Sequence, residues 1–175
     1  MSALRDSKGA TSSSAATIRN KEPWDAVVVG AGPAGSLAAL ELARLGRRVL
    51  LLERASFPRW KVCGATLSPG ARAVLRAAGL DGLLPSLKSR ELGSLNLGGW
   101  ALHARLSLAG SVAISRRALD AALANAAVEA GVTFLPRAGA RLGPLLDDRR
   151  RIQVTADGEA LEVDGRVVIA ADGLK

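Results

Sequence analysis

Between Asp25 and Glu53 the chain passes from a short apolar segment through a glycine-rich turn, then an alanine- and leucine-rich stretch, into a second apolar segment. No other feature constrains the fold as strongly. Asp25-Ala26-Val27-Val28-Val29 is short and rich in β-branched residues, which predicts a buried strand. Gly30-Ala31-Gly32-Pro33-Ala34-Gly35 follows it. Ser36 to Leu45 predicts a helix: Leu37, Leu40 and Leu45 supply aliphatic packing, Ala38, Ala39 and Ala43 permit close approach, and Gly46 stops it. Val49 to Leu52 predicts a second strand, ended by Glu53-Arg54. Strand, turn, helix and strand in about thirty residues make a parallel βαβ unit.

The glycine spacing suits a dinucleotide. Gly30 permits a tight turn out of the strand, Gly32 lets backbone N–H groups approach a pyrophosphate, and Gly35 brings the helix close to the sheet. Phosphates are expected at the helix N-terminus, where unpaired N–H groups and the helix dipole favour negative charge. Glu53 is placed to accept hydrogen bonds from a ribose 2′-OH, and its charge disfavours a 2′-phosphate. A glycine sextet alone is weak evidence, and its bland reading is a connection in an unrelated α/β protein. The coincidence of strand, turn, helix and acid carries the argument. Spacing leaves FAD and NAD equally open.

The rest of the chain predicts a mixed α/β continuation. Residues 55–70 read as irregular, a helix spans 71–78 and ends at Gly79, and short strands lie between Leu92 and Ile114. Ser115 caps a helix running to about Ala130, with Leu119, Leu123 and Ala126-Ala127 on one face. A strand at 132–135, a hairpin or meander through 140–163 and a strand at 166–170 complete the pattern. Val167-Val168-Ile169-Ala170 is apolar throughout, as expected of a strand buried on both faces.

Composition removes several alternatives. Residues 1–22 hold only Leu4 and Ile18 as bulky aliphatics, so they read as a disordered tail ahead of one domain over 23–175. One cysteine, Cys63, excludes an internal disulfide and suits a reducing cytoplasm; its bland reading is a small buried hydrophobe. One histidine and one cysteine make an ordinary zinc site implausible, so no metal is expected. No apolar run reaches the length of a membrane span. The net charge of +8 invites a nucleic-acid reading, but aromatics amount to 3% with no Tyr, which argues against a base-stacking platform. The only arginine run, Arg149-Arg150-Arg151, follows Asp147-Asp148 in a turn, so a basic solvated surface is favoured. Trp60 and Trp100 are expected in a core or pocket wall, and His103 as a packed or edge residue.

From Asp25 to Asp172 the chain resembles the flavoprotein monooxygenase and geranylgeranyl reductase superfamily, which binds FAD through an N-terminal Gly-Pro-Ala-Gly turn. Here that turn is Gly32-Pro33-Ala34-Gly35. Glu53-Arg54 followed by Phe57-Pro58-Arg59-Trp60-Lys61-Val62-Cys63-Gly64 is similar to the segment that geranylgeranyl reductase-like members carry after their second strand. Arg116-Arg117-Ala118-Leu119-Asp120, with Leu123, is similar to the family's Arg-x-x-aromatic-Asp-x-x-Leu start, although Leu119 departs from the aromatic. Ala171-Asp172-Gly173 is similar to its Asp-Gly motif.

The resemblance implies a Rossmann-type FAD-binding fold, a parallel βαβ sheet with a β-meander, truncated before the substrate domain is complete. It implies FAD as cofactor and NAD(P)H as a transient electron donor in the intact enzyme. The reduced flavin would then activate oxygen or reduce a prenyl-type double bond of a small apolar, prenyl or aromatic substrate. It places Arg54 beside the adenosine, Arg116 toward the flavin, the loop from Lys61 to Thr66 toward the isoalloxazine, and Asp172 and Gly173 near the pyrophosphate. Catalytic residues are left blank. Family members are longer, so a fragment is expected, poorly soluble or weakly flavin-binding when expressed alone, with apolar surface exposed along its last strand. An NAD-dependent dehydrogenase and a non-catalytic nucleotide-binding remnant are the alternatives.

Overall fold

A computed structural model describes residues 18, 22–100 and 103–173. The expected tail over 1–22 therefore lies outside the described residues, apart from Ile18 and Glu22. The chain divides into two compact units, residues 1–57 with 123–175 and residues 58–122.

The first unit is built on a six-stranded sheet. Strand β1 (Trp24–Val29), helix α1 (Pro33–Arg44) and strand β2 (Val49–Glu53) form the expected βαβ unit. Helix α1 starts three residues earlier than the apolar pattern indicates, because the fixed φ of Pro33 suits a first helical position. Strands β6 (Thr133–Pro136), β7 (Ala138–Leu145), β8 (Arg150–Ala156) and β9 (Glu159–Ala170) follow, in the spatial order β6-β2-β1-β9-β8-β7. β1 pairs parallel with β2 and β9, and β2 pairs parallel with β6. β7, β8 and the first half of β9 form an antiparallel meander. The strand expected at 166–170 is thus the second half of one twelve-residue strand.

The core of this unit gathers Trp24, Val27, Leu50 and Leu52 with Leu135, Ile152, Val154 and Val163, and Ile18 joins it. All five residues of β2 are buried. Each such aliphatic side chain stabilises the fold by roughly 1.5–3 kcal/mol relative to exposure. The end of β9 differs from expectation: Val167 is 53% exposed. β9 has β1 on one edge there and no described strand on the other, so only part of its surface is covered.

The second unit carries strand β3 (Thr66–Leu67), helix α2 (Pro69–Ala77), helix α3 (Leu83–Ser86) and a hairpin of β4 (Arg90–Gly98) with β5 (His103–Ala113). Its sheet order is β3-β5-β4. The expected short strands between 92 and 114 are therefore two long ones, bulged between Leu92 and Ser94 across Gly93. Helix α2 is capped by Ser68, whose Oγ accepts the Ala71 amide at 3.3 Å. Helix α4 (Arg116–Glu129) begins in this unit and continues into the first. Leu119 is buried in the aromatic's place. Trp60 and Trp100, expected in a core or pocket wall, are both exposed, and so is Cys63, expected as a small buried hydrophobe. Trp60 and Cys63 lie on an irregular segment without its own packing face; Trp100 lies at the hairpin tip, where neither strand covers it.

Candidate functional site

The glycine turn is fixed by backbone geometry and by one carboxylate. Gly30 has φ +104°, and a Cβ there would lie 2.4 Å from the Ala171 carbonyl oxygen. The residue following β9 therefore crosses directly over the turn, and the Ala171 amide donates to the Val29 carbonyl at 2.8 Å. At Gly35 a Cβ would lie 1.8 Å from the Gly30 carbonyl oxygen, so the turn folds against the start of α1. Gly32 is different. Its φ of −75° and ψ of −179° are open to any residue, and it holds the N-cap position without a side-chain cap. Ser, Thr, Asp or Asn there would stabilise the helix over glycine by only a few tenths of a kcal/mol. The fold itself thus explains Gly30 and Gly35, whereas the backbone angles of Gly32 make no demand for glycine.

The first helical hydrogen bond of α1 runs from the Ser36 amide to the Gly32 carbonyl at 2.9 Å. The amides of Ala34 and Gly35 therefore precede the intrahelical ladder, Pro33 has no amide hydrogen, and no acidic side chain occupies the first turn. That leaves the helix N-terminus with positive potential.

Glu53, 7% exposed, points at this turn. Its Oε2 accepts the Ala31 amide at 3.0 Å, and its Oε1 accepts the Ala55 amide at 3.0 Å. These two bonds hold the carboxylate in place at the turn. Glu53, Gly30, Arg54 and Asp172 line one cavity of about 230 Å³. Gly173, at φ +82°, follows immediately. The structure therefore brings together Gly30, Glu53, Arg54 and Asp172 of the expected set, with Gly32, Pro33, Ala34 and Gly35 adjoining in sequence. Donors at a helix head and a seated carboxylate are the donor and acceptor set that a diphosphate and a ribose need.

Sequence reasoning missed one wall of this cavity. Ala138, Gly139 and Ala140 of β7 line it. The available signal was a run of three small residues directly after Arg137, which has φ +55° and turns the chain from β6 into β7. Small side chains there keep the cavity from filling.

Arg116 belongs to the second unit and is engaged there. Its Nε donates to Asp120 Oδ1 at 2.6 Å, while Arg59 reaches Asp120 Oδ2 at 3.2 Å. Asp120 is fully buried, so two guanidiniums clamp one desolvated carboxylate. Burial works against the Arg116 charge, but the hydrogen bond and charge of Asp120, followed by a hydrogen bond with Cys63, raise its pKa above the ordinary value. The Cys63 Sγ also accepts the Ala65 amide at 3.1 Å. The misfit of a cation in a helix's first turn is relieved by the Asp120 carboxylate one turn further on. Among the described residues no group of three His, Cys, Asp or Glu gathers as a metal site, and no helix is long and apolar enough to cross a membrane.

A family model for an FAD binding domain matches residues 24–175. The chain is 38% identical over 157 residues to menaquinone reductase of Mycobacterium tuberculosis, covering 86% of this chain and 38% of that protein. It is 39% identical over 155 residues to digeranylgeranylglycerophospholipid reductase 1 of Methanopyrus kandleri, covering 87% of this chain and 40% of that protein. Among solved structures, a myxobacterial chondrochloren halogenase, an FAD-dependent halogenase, aligns with a TM-score of 0.75 at 25% identity, over 87% of this chain and 38% of the halogenase. A geranylgeranyl bacteriochlorophyll reductase-like protein of Thermoplasma acidophilum aligns with a TM-score of 0.74 at 24% identity, over 87% of this chain and 40% of its own; that likeness is one of fold. The chain thus spans about two fifths of the length of these relatives.

Proposed function

The chain belongs to the FAD-binding domain family, and on that premise we propose that it forms the ADP-gripping part of an FAD-dependent oxidoreductase of the monooxygenase or prenyl-reductase type. Its cofactor is FAD, and nothing in the comparisons favours an NAD-dependent dehydrogenase. The amides of Ala34 and Gly35, reached past Gly32 and Pro33, hold the diphosphate at the head of α1. Glu53 accepts from the adenosine ribose hydroxyls, Arg54 lies along the adenosine, and Ala138 to Ala140 give the cavity a flat, small-residue wall. Asp172 and Gly173 close the pyrophosphate side beyond the crossing over Gly30. Arg116, braced by Asp120, serves the flavin end. Bound FAD supplies the electron-transfer chemistry, with the protein setting its position and electrostatics. NAD(P)H is the transient donor.

The substrate of the whole enzyme is a small apolar molecule of prenyl or aromatic character, in keeping with the lipid and quinone named for the similar reductases. Residues 23–175 form the cofactor domain, and Ile18 packs into its core. A reducing cytoplasm suits the single cysteine.

The observation that carries this reading is Glu53 bonded to Ala31 while lining the same cavity as Gly30, Arg54 and Asp172. Titration of the full chain with FAD, read by flavin fluorescence, tests it. Gly32→Val has ordinary backbone angles to occupy, so circular dichroism is expected to stay native while FAD affinity falls at least about tenfold, or 1.4 kcal/mol. Unchanged affinity in that variant, or retention of NADH in place of FAD by the parent chain, overturns the assignment.

A further inference from the structure

Residues 59–65 carry neither helix nor strand, and their side chains are sorted in an unusual way. Trp60 is 78% exposed and Val62 76% exposed, so burial of its two large apolar side chains does not hold this segment in place. Its arginine turns inward instead: the Arg59 side chain is 12% exposed and reaches Asp120 Oδ2 at 3.2 Å. With apolar groups outside and a guanidinium inside, the anchor of the segment is a charge contact.

Asp120 is fully buried and takes both arginines at once. Arg116 lies one turn away on α4, so its bond to Asp120 is local to the helix. Arg59 comes from the irregular segment, so its bond is the tertiary one. Removing one partner of a desolvated carboxylate is strongly destabilising, which keeps Arg59, and the segment with it, against the first turn of α4. Further along, the Cys63 thiol meets the Arg116 guanidinium. Its Sγ accepts the Ala65 amide at 3.1 Å, and the Ala65 carbonyl accepts the Ile114 amide at 2.8 Å. Ala65 has φ +52°, a conformation that a residue other than glycine keeps where its surroundings impose it. The segment is therefore pinned at Arg59, Cys63 and Ala65, with Trp60 and Val62 turned outward between the pins.

We propose that Asp120 is a positioning residue: through Arg59 it latches the segment 59–65 onto the first turn of α4 and thereby holds Arg116 and Cys63 in one arrangement. The consequence for binding rests on the cofactor reading, in which Arg116 serves the flavin end. Arg59→Met keeps an unbranched stem and removes the charge, Arg59→Lys keeps the charge, and Asp120→Asn keeps the shape of the carboxylate. In the full chain without cofactor, the Ala65 amide is expected to exchange at least about tenfold faster in Arg59→Met than in the parent. Arg59→Lys is expected to stay within about threefold of the parent, and the amides of Leu123 to Val128 to stay unchanged in both variants. Titration with ADP and with FAD separates positioning from a general loss of structure. In Arg59→Met and Asp120→Asn, ADP affinity is expected to hold within about twofold while FAD affinity falls at least about fivefold. Parent-like exchange at Ala65 in Arg59→Met, ADP and FAD affinities that fall together, or FAD affinity unchanged in both variants overturns the proposal. A parent chain that binds neither ADP nor FAD overturns the cofactor reading instead, and exchange at Ala65 then decides the latch.

Discussion

Strand β2 and the end of β9 carry nearly the same sequence signal and meet different fates. Val49 to Leu52 is a four-residue apolar run, and so is Val167 to Ala170. β2 lies between β1 and β6, and every residue is buried. Among the described residues the end of β9 has β1 on one side only, and Val167 stays 53% exposed. An apolar run announces a strand that wants cover on both faces; whether the cover exists depends on what packs over those faces, which the run itself does not specify. The second unit repeats the lesson, because Leu95 and Leu106 of the β4–β5 hairpin are paired across the ladder yet remain more than two fifths exposed.

The largest expected effect tests the comparison directly. Leu51→Ala empties a fully buried site and is expected to cost about 3 kcal/mol in urea unfolding, whereas Val167→Ala is expected to cost less than about 1 kcal/mol. Equal costs would show that the β9 edge is covered in solution. Next in size is Glu53→Gln. It replaces a carboxylate that accepts two backbone amides, at Ala31 and Ala55, with a group carrying a single acceptor oxygen. A stability loss of about 2 kcal/mol is expected, together with weaker FAD binding; full affinity in a destabilised variant would separate the structural role from the ribose contact.

The smallest effect concerns Asp25, which ties the start of β1 to both neighbours. The Arg48 amide, donating at 2.9 Å, is the main cause holding its carboxyl below the usual value of 3.8, with Arg166 contributing less. A depressed folded pKa gives stability that is present above the ordinary carboxylate range and lost as pH falls through the folded value. Asp25→Asn is therefore expected to lower the urea midpoint at pH 7 and to flatten its decline below about pH 4. Arg166→Ala should do so more weakly. A variant whose acid decline matches the parent would remove Asp25 from the acid response.

Much of the cofactor site was legible in the sequence. The order of strand, glycine turn, helix and acid places Gly30, Gly35 and Glu53 because each answers a local requirement: a positive φ, a close approach, a strand end. The cavity wall at Ala138 to Ala140 was not, since small residues far along the chain carry no local demand. Nor were the exposure of Trp60, Trp100 and Cys63 and the clamp of Arg59 and Arg116 on Asp120, which depend on what packs nearby.

By itself the sequence determined a βαβ unit with a diphosphate-ready helix head, because turn geometry and helix capping act over a few residues. Only the tertiary structure decided that Ala171 crosses over Gly30, that β7 lines the cavity, and that, among the described residues, β1 alone pairs with the end of β9. Those facts rest on pairings between segments more than a hundred residues apart in the case of β1 and β9, and no local pattern specifies which edge of an apolar strand will find a partner.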